Sequence, residues 1–134
     1  MTDKSNVYNE VTNNISITVQ PQYVSAESNP AIGKNIFSYN IVITNLGLDP
    51  VKLLSRHWYI VDSNTSIREI EGDGVVGKQP ELAQNESFEY TSWCLLQTSV
   101  GKMYGTYIFL NMDNNQPFEV VIPEFRLHSD FILN

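Results

Sequence analysis

Apolar residues recur in steps of two along most of this chain, and that period constrains the fold more than any other feature. Ile15, Ile17 and Val19 alternate with Ser16, Thr18 and Gln20. Phe37, Tyr39, Ile41 and Ile43 alternate with Ser38, Asn40, Val42 and Thr44. Such alternation belongs to half-buried β-strands, whose side chains point to opposite faces in turn. Val51 to Val61 reads as a further strand, with Leu54, Trp58 and Ile60 on one side and Leu53, Ser55, His57 and Tyr59 on the other. Arg56 falls on the Trp58 side, where its stem can cover apolar surface. Asp62 to Thr65 is a turn signal that predicts a hairpin into Ser66–Glu71. Phe88 and Tyr90 mark a short strand. Met103, Gly105, Tyr107 and Phe109 mark another, and Phe118, Val120 and Ile122 a last one that Phe125 and Leu127 extend. Pro21 is expected to break or bulge the first strand and leave it at a sheet edge.

No stretch repeats with a helical period. About seven strands with turns between them predict an all-β, immunoglobulin/fibronectin-III-like two-sheet antiparallel β-sandwich, with Trp58 as the buried tryptophan of the third strand. Without repeats or an interior linker, the chain reads as one domain over residues 12–129, between an N-terminal tail (1–11) and a C-terminal tail (130–134).

Composition excludes several classes of function. The 134 residues carry 8 Lys and Arg against 15 Asp and Glu, a formal net charge of -7. That balance opposes binding to nucleic acid and to anionic lipid. No apolar run approaches the roughly 20 residues of a membrane span, so no membrane insertion is expected. The polar start, Met1 to Asn6, has no apolar segment of signal-peptide type. Cys94 is the single cysteine. It can form no intrachain disulfide, which is compatible with a cytoplasmic location.

Gly72-x-Gly74-x-x-Gly77 is the pattern that cradles a pyrophosphate when it follows a strand and opens a helix. Here the context points elsewhere. Val75 and Val76 favour extended backbone, Pro80 biases Gln79 away from helical angles, and only Glu81 to Ser87 precede the next strand. The segment therefore reads first as a glycine-rich connection between sheets. As an anion site, its backbone N–H groups would work with Lys78 against the nearby charges of Glu69, Glu71 and Asp73. Those three acids form a candidate metal set of their own. Glu69 and Glu71 share one strand face, and Asp73 follows them. His57 and His128 have no ligand spacing with another His or Cys, and His57 reads as a wall residue or a partly exposed one. Cys94 reads as an apolar strand residue. No nucleophile and base pair in the sequence, so the chain is expected not to be an enzyme and to need no cofactor.

Several ordered stretches resemble the ApaG family. They are Asn45-Leu46-Gly47, Pro50 to Trp58, Gly72 to Pro80, Phe88 to Ser92, Gly101 to Tyr107 and Ile122 to Leu127. The resemblance runs over residues 12 to 129. It implies a fibronectin-III-like sandwich. It also implies a link to cobalt tolerance and magnesium efflux, known from resistance phenotypes and without an established molecular activity. Related domains in eukaryotic F-box and polymerase-interacting adaptor proteins imply binding to a protein partner. The glycine triad is a feature of the family, for which nucleotide or pyrophosphate binding has been suggested. Three departures stand out. Gln84-Asn85 replaces Pro-Gly, with Asn able to take a left-handed turn. Trp93 stands where a small residue is usual and extends an apolar surface patch. Ser99 replaces a proline. The resulting expectation is a non-enzymatic binding or adaptor domain. The alternative is a phosphate, pyrophosphate or nucleotide sensor on Gly72, Gly74, Gly77 and Lys78. An edge strand also offers a route to a weak homodimer.

Overall fold

The computed structural model describes residues 6–129. Nine antiparallel strands fill two facing sheets: β1 (Tyr8–Thr12), β2 (Ile15–Tyr23), β3 (Asn35–Asn45), β4 (Val51–Asp62), β5 (Ile67–Asp73), β6 (Glu81–Leu82), β7 (Ser87–Leu96), β8 (Val100–Asn111) and β9 (Gln116–His128). One sheet has the order β1-β2-β3-β7. The other has β5-β4-β8-β9, with β6 against the start of β4. Short 3₁₀ turns at Ser25–Glu27 and Pro30–Ile32 lie between β2 and β3. This is the two-sheet sandwich that the alternation predicts.

The inner faces follow the period closely in β2, β3 and β8. Ile15, Ile17 and Val19 meet Phe37, Tyr39, Ile41 and Ile43 from one sheet, and Met103, Tyr107 and Phe109 from the other. Trp58 is 3% exposed, with its ring against Tyr39, Tyr107 and Phe125. A hydroxyl pair spans the core. Tyr90 of β7 and Tyr107 of β8 bring their oxygens to 2.6 Å. Burial pushes the titration of both above the usual tyrosine range. Burial also pushes the Cys94 thiol up to about 12, so it is held as the neutral thiol.

Four details differ from the alternation. First, β4 carries a one-residue bulge between Leu53 and Ser55. The bulge puts Leu53, not Leu54, in the core with Trp58 and Ile60. Second, Pro21 does not break β2, since it stays in register opposite Tyr39. It lies past Val19, where the pairing with β1 ends, so its missing N–H leaves no gap in the ladder. Third, Tyr8–Thr12 is a strand where the sequence suggested a tail. It is fastened to β9 by the Arg126 N–H on the Tyr8 hydroxyl (3.3 Å) and the Val121 N–H on Thr12 Oγ1 (3.2 Å). Fourth, β7 runs on past Tyr90 to Leu96. The expected C-terminal tail, 130–134, lies outside the described residues.

Most turns use residues that tolerate left-handed backbone. Asn13, Asn14, Asn85 and Asn115 all have positive φ, and Asn85 (φ 66°) makes the turn expected of it. Thr65 (φ 71°) and Val76 are the exceptions, and Val76 is the bulkier and wholly apolar one. It is β-branched, has φ 44°, and is 53% exposed. It occupies the first corner of a two-residue hairpin turn where Asn-Gly is the unstrained pair.

Two outcomes follow for stability in urea. Val76→Asn is expected to raise stability by about 1 kcal/mol, or about 3 °C in melting temperature. A fall instead would show that the valine side chain holds a contact. Tyr107→Phe is expected to cost about 1–3 kcal/mol by leaving the Tyr90 hydroxyl buried without its partner. Replacing both tyrosines by Phe should cost less than the two single changes added together; strict additivity would mean the hydroxyl pair makes no coupled contribution.

Candidate functional site

The glycine segment closes β5 onto itself. The Val75 N–H donates to the Lys78 carbonyl (2.8 Å) and the Lys78 N–H to the Val75 carbonyl (2.9 Å), with Val76 and Gly77 at the corners. The Gly74 N–H donates to the Leu54 carbonyl at 2.8 Å. Each glycine has a local reason, conformational or steric. Gly77 has φ 77° at the second corner, where any side chain would be strained. Gly74 has φ 62° and lies so close to the Lys78 carbonyl that a Cβ would collide with it. Gly72 lies under the Arg56 guanidinium, whose nitrogens would be 2.9 Å from a Cβ. Arg56 Nη1 donates to the carbonyls of Asp73 (3.0 Å) and Gly74 (2.9 Å), which ties the hairpin to β4. The chain then passes through Pro80 into β6, with no helix at that point. The amides of Val75 and Lys78 are thus engaged within the segment, and that of Gly74 on β4.

The acidic residues present a different arrangement. Glu69, Glu71 and Asp73 face outward on β5, opposite Tyr59, His57 and Ser55 of β4. His57 Nε2 lies 3.6 Å from Glu71 Oε1 and 3.9 Å from Glu69 Oε1. The ligand atoms of these three residues all lie within 4.8 Å of one another. Asp73 is outside that group, one register step further along beside Ser55. The His57 side chain is 31% exposed, yet Nε2 itself is covered and accepts no hydrogen bond. Its ring edge is turned to the two carboxylates.

An aromatic stack fixes this geometry. The His57 ring lies on Tyr59 with centroids 4.6 Å apart and planes 18° from parallel. Tyr59 lies in turn on Tyr104 of β8 at 4.9 Å and 11°. Lys102 Nζ is 5.8 Å from the Tyr104 ring centroid. The Tyr59 hydroxyl titrates above its usual range, first through desolvation and then through the charge of Glu69 and a hydrogen bond to it. Tyr59 therefore supports the imidazole and lies close enough to Glu69 to feel its charge.

His57 was not among the sequence candidates because its relation to the acids lies in the hairpin and not in linear spacing. The signal was available. Folding the predicted hairpin about Asn64 sets His57 opposite Glu71, each seven residues from the turn.

Beside this group is a trough of about 480 Å³ on the same sheet face, which His57 and Glu71 line together with Asp73 and Glu119.

The comparisons with known proteins agree on one family. The ApaG domain profile matches residues 25–111. Protein ApaG of Methylobacterium sp. (strain 4-46) is 48% identical over 121 residues, covering 90% of this chain and 92% of that protein. Protein ApaG of Bordetella pertussis (strain Tohama I) is 46% identical over 113 residues, covering 84% and 86%. A solved structure described as the ApaA protein of Bordetella pertussis superposes with a TM-score of 0.84 at 45% identity, over 87% of this chain and 94% of that one. With the profile match, the shared identity over nearly the whole length and the common sandwich, this chain belongs to the ApaG family.

Proposed function

We propose that this chain is a non-enzymatic, cytoplasmic binding domain that takes a divalent transition-metal ion on His57, Glu69 and Glu71. The observation that carries the reading is His57 Nε2, free of any hydrogen bond and aimed at two carboxylate oxygens 3.6 and 3.9 Å away. Around a tetrahedral ion with bonds of about 2.1 Å, ligand atoms stand about 3.4 Å apart. The 3.6 Å pair nearly matches that spacing, and the exposed glutamates can swing to close the wider separations, which stay within 4.8 Å. An imidazole with two carboxylates suits Co²⁺, Ni²⁺ or Zn²⁺, while Mg²⁺ prefers six oxygen ligands. Tyr59 acts as the outer support that orients both a ligand ring and a ligand carboxylate.

This reading offers a direct ground for the cobalt link that the family resemblance implied. No helix of the described residues is long and apolar enough to cross a membrane. In our reading the domain therefore acts on cation handling through a protein partner. The buried neutral thiol of Cys94 is poorly suited to nucleophilic work, which supports a binding role over catalysis. The pyrophosphate reading of Gly72, Gly74, Gly77 and Lys78 has less geometric support, because the amides of Gly74, Val75 and Lys78 already donate to carbonyls within the fold.

Calorimetry of the untagged chain with CoCl2 tests the proposal. One site is expected, with MgCl2 competing weakly. Glu69→Gln and Glu71→Gln should each weaken binding about tenfold or more, and His57→Ala should abolish it. Tyr59→Phe is expected to weaken it by about tenfold. Unchanged cobalt affinity in a folded His57→Ala variant would overturn the reading.

A further inference from the structure

Three connections meet at one end of the sandwich: the turn between β1 and β2, the segment from β3 to β4, and the turn between β8 and β9. Between them lies a pocket of about 310 Å³. It shares no residue with the His57 group. Its floor is apolar. Val51 is 4% exposed, and the half-buried Phe118 ring stacks on Phe109 with centroids 5.8 Å apart. Leu48 stands at the lip, and at 81% it is the most exposed large apolar side chain among the described residues.

The walls are amides. Asn13 and Asn14 come from the first turn, and Asn111, Asn114 and Gln116 from the last. One carboxylate, Asp49, joins them, and no lysine or arginine lines the pocket. The walls are tied to one another. Asn111 Nδ2 donates to Asp49 Oδ2 at 3.0 Å. The Leu46 N–H donates to the Asn14 carbonyl (2.8 Å) and the Met112 N–H to the Pro50 carbonyl (2.9 Å). Polar capacity is left over. Asn114 Oδ1 accepts the Gln116 N–H, which leaves its Nδ2 unused. Asp49 Oδ1 and the side-chain amides of Asn14 and Gln116 also make no hydrogen bond among the described residues.

We infer that this pocket binds a neutral sugar ring. Chemistry narrows the occupant. With no cation in the lining, nothing balances a phosphate or carboxylate, and a net charge of -7 repels both. Asp49 is exposed and already accepts from Asn111, so it attracts a free cation weakly. A wholly apolar ligand would strip water from the amides and return no hydrogen bond. A neutral molecule with hydroxyls on its edge and an apolar face meets all these conditions. Each hydroxyl donates one hydrogen bond and can accept others. Neighbouring hydroxyls can thus donate to Asp49 Oδ1 and accept from the amides of Asn114 and Gln116, while the C–H face of the ring covers Phe118. The volume lies at the lower end of the about 300–1,000 Å³ of small-molecule sites, which suits one ring, free or at the end of a glycan.

The test is an amide-shift titration of the full chain. The probes are methyl β-glucoside, methyl β-galactoside and methyl α-mannoside, with the matching disaccharides cellobiose, lactose and mannobiose. Glycerol supplies hydroxyls without a ring face, and N-acetylleucinamide supplies a peptide-like occupant. At least one glycoside is expected to give saturable shifts at millimolar concentration in Gly47, Leu48, Gln116 and Phe118. A matching disaccharide that binds severalfold tighter supports a glycan end as the natural occupant; equal affinity supports a free sugar. Gln116→Ala, whose side chain takes no part in the ties between loops, should weaken binding severalfold with melting temperature unchanged. Asp49→Ala should weaken it about tenfold. No saturable shift from any sugar at tens of millimolar, or an equal response to glycerol, would overturn the inference. So would unchanged sugar affinity in the folded Gln116→Ala chain. Binding of N-acetylleucinamide without any sugar would assign the pocket to a peptide and overturn it as well.

Discussion

A single extra residue in β4 reverses the inside and outside of that strand, and the arrangement of the outer face depends on it. Leu53 and His57 would share a face in an unbroken strand, because side chains alternate with a period of two. The bulge at Leu54 separates them. Leu53 is fully buried, while Ser55, His57 and Tyr59 turn outward toward the acids of β5. The bulge does a second thing. Its carbonyl accepts the Gly74 N–H (2.8 Å) and the Gln79 Nε2 (2.9 Å), so the irregularity that exposes His57 also anchors the glycine hairpin. Bulges commonly re-aim side chains in this way.

The glycine pattern is explained from the same region without a bound group. Gly77 answers to turn geometry, Gly74 to a turn and a close carbonyl, and Gly72 to the guanidinium above it. Arg56 joins these features to the core. It lies near enough to Tyr39, Tyr90 and Tyr107 for its charge to favour their ionised forms, although burial outweighs that effect and keeps all three raised. A residue of β4 that caps two loop carbonyls makes the hairpin part of the sandwich and not an appendage to it. The glycines here lie in a two-residue hairpin and not at a strand-to-helix junction.

Alternation made the inner faces of β2, β3 and β8 legible because their outward residues are polar. It failed where that contrast disappears. β7 was read only at Phe88 and Tyr90, since Trp93 and Leu95 are apolar yet face outward, Trp93 at 57% exposed. β1 was read as tail because it is largely exposed and buries little of its own surface. The bulges are invisible to any fixed period. In β4 two adjacent leucines hid the shift. In β9 the register with β8 slips between Met103 and Gly105, near Pro123, and the inner set changes from Val120 and Ile122 to Phe125 and Leu127. The acids were legible as a pair on one face, but the imidazole between them was not, because its place follows from strand pairing and not from a ligand motif.

The division of labour between the two sides of the second sheet explains how a fold this simple can carry a selective surface. Its inner side is fixed by Trp58, Tyr107, Phe109 and Phe125, which pack against one another and leave the backbone little freedom. Its outer side inherits that rigidity. The His57, Tyr59 and Tyr104 rings then order one another by stacking across β4 and β8. Aromatic side chains lose little rotamer freedom when held, so a face built from them is preorganised at low entropic cost. The open edge of β7 is treated differently. Arg68 donates to its Leu95 carbonyl, which occupies an edge acceptor and brings a charge to the strand, two devices that discourage pairing with another chain. The edge of β7 is thereby closed, while the outer face of the other sheet keeps its carboxylates exposed.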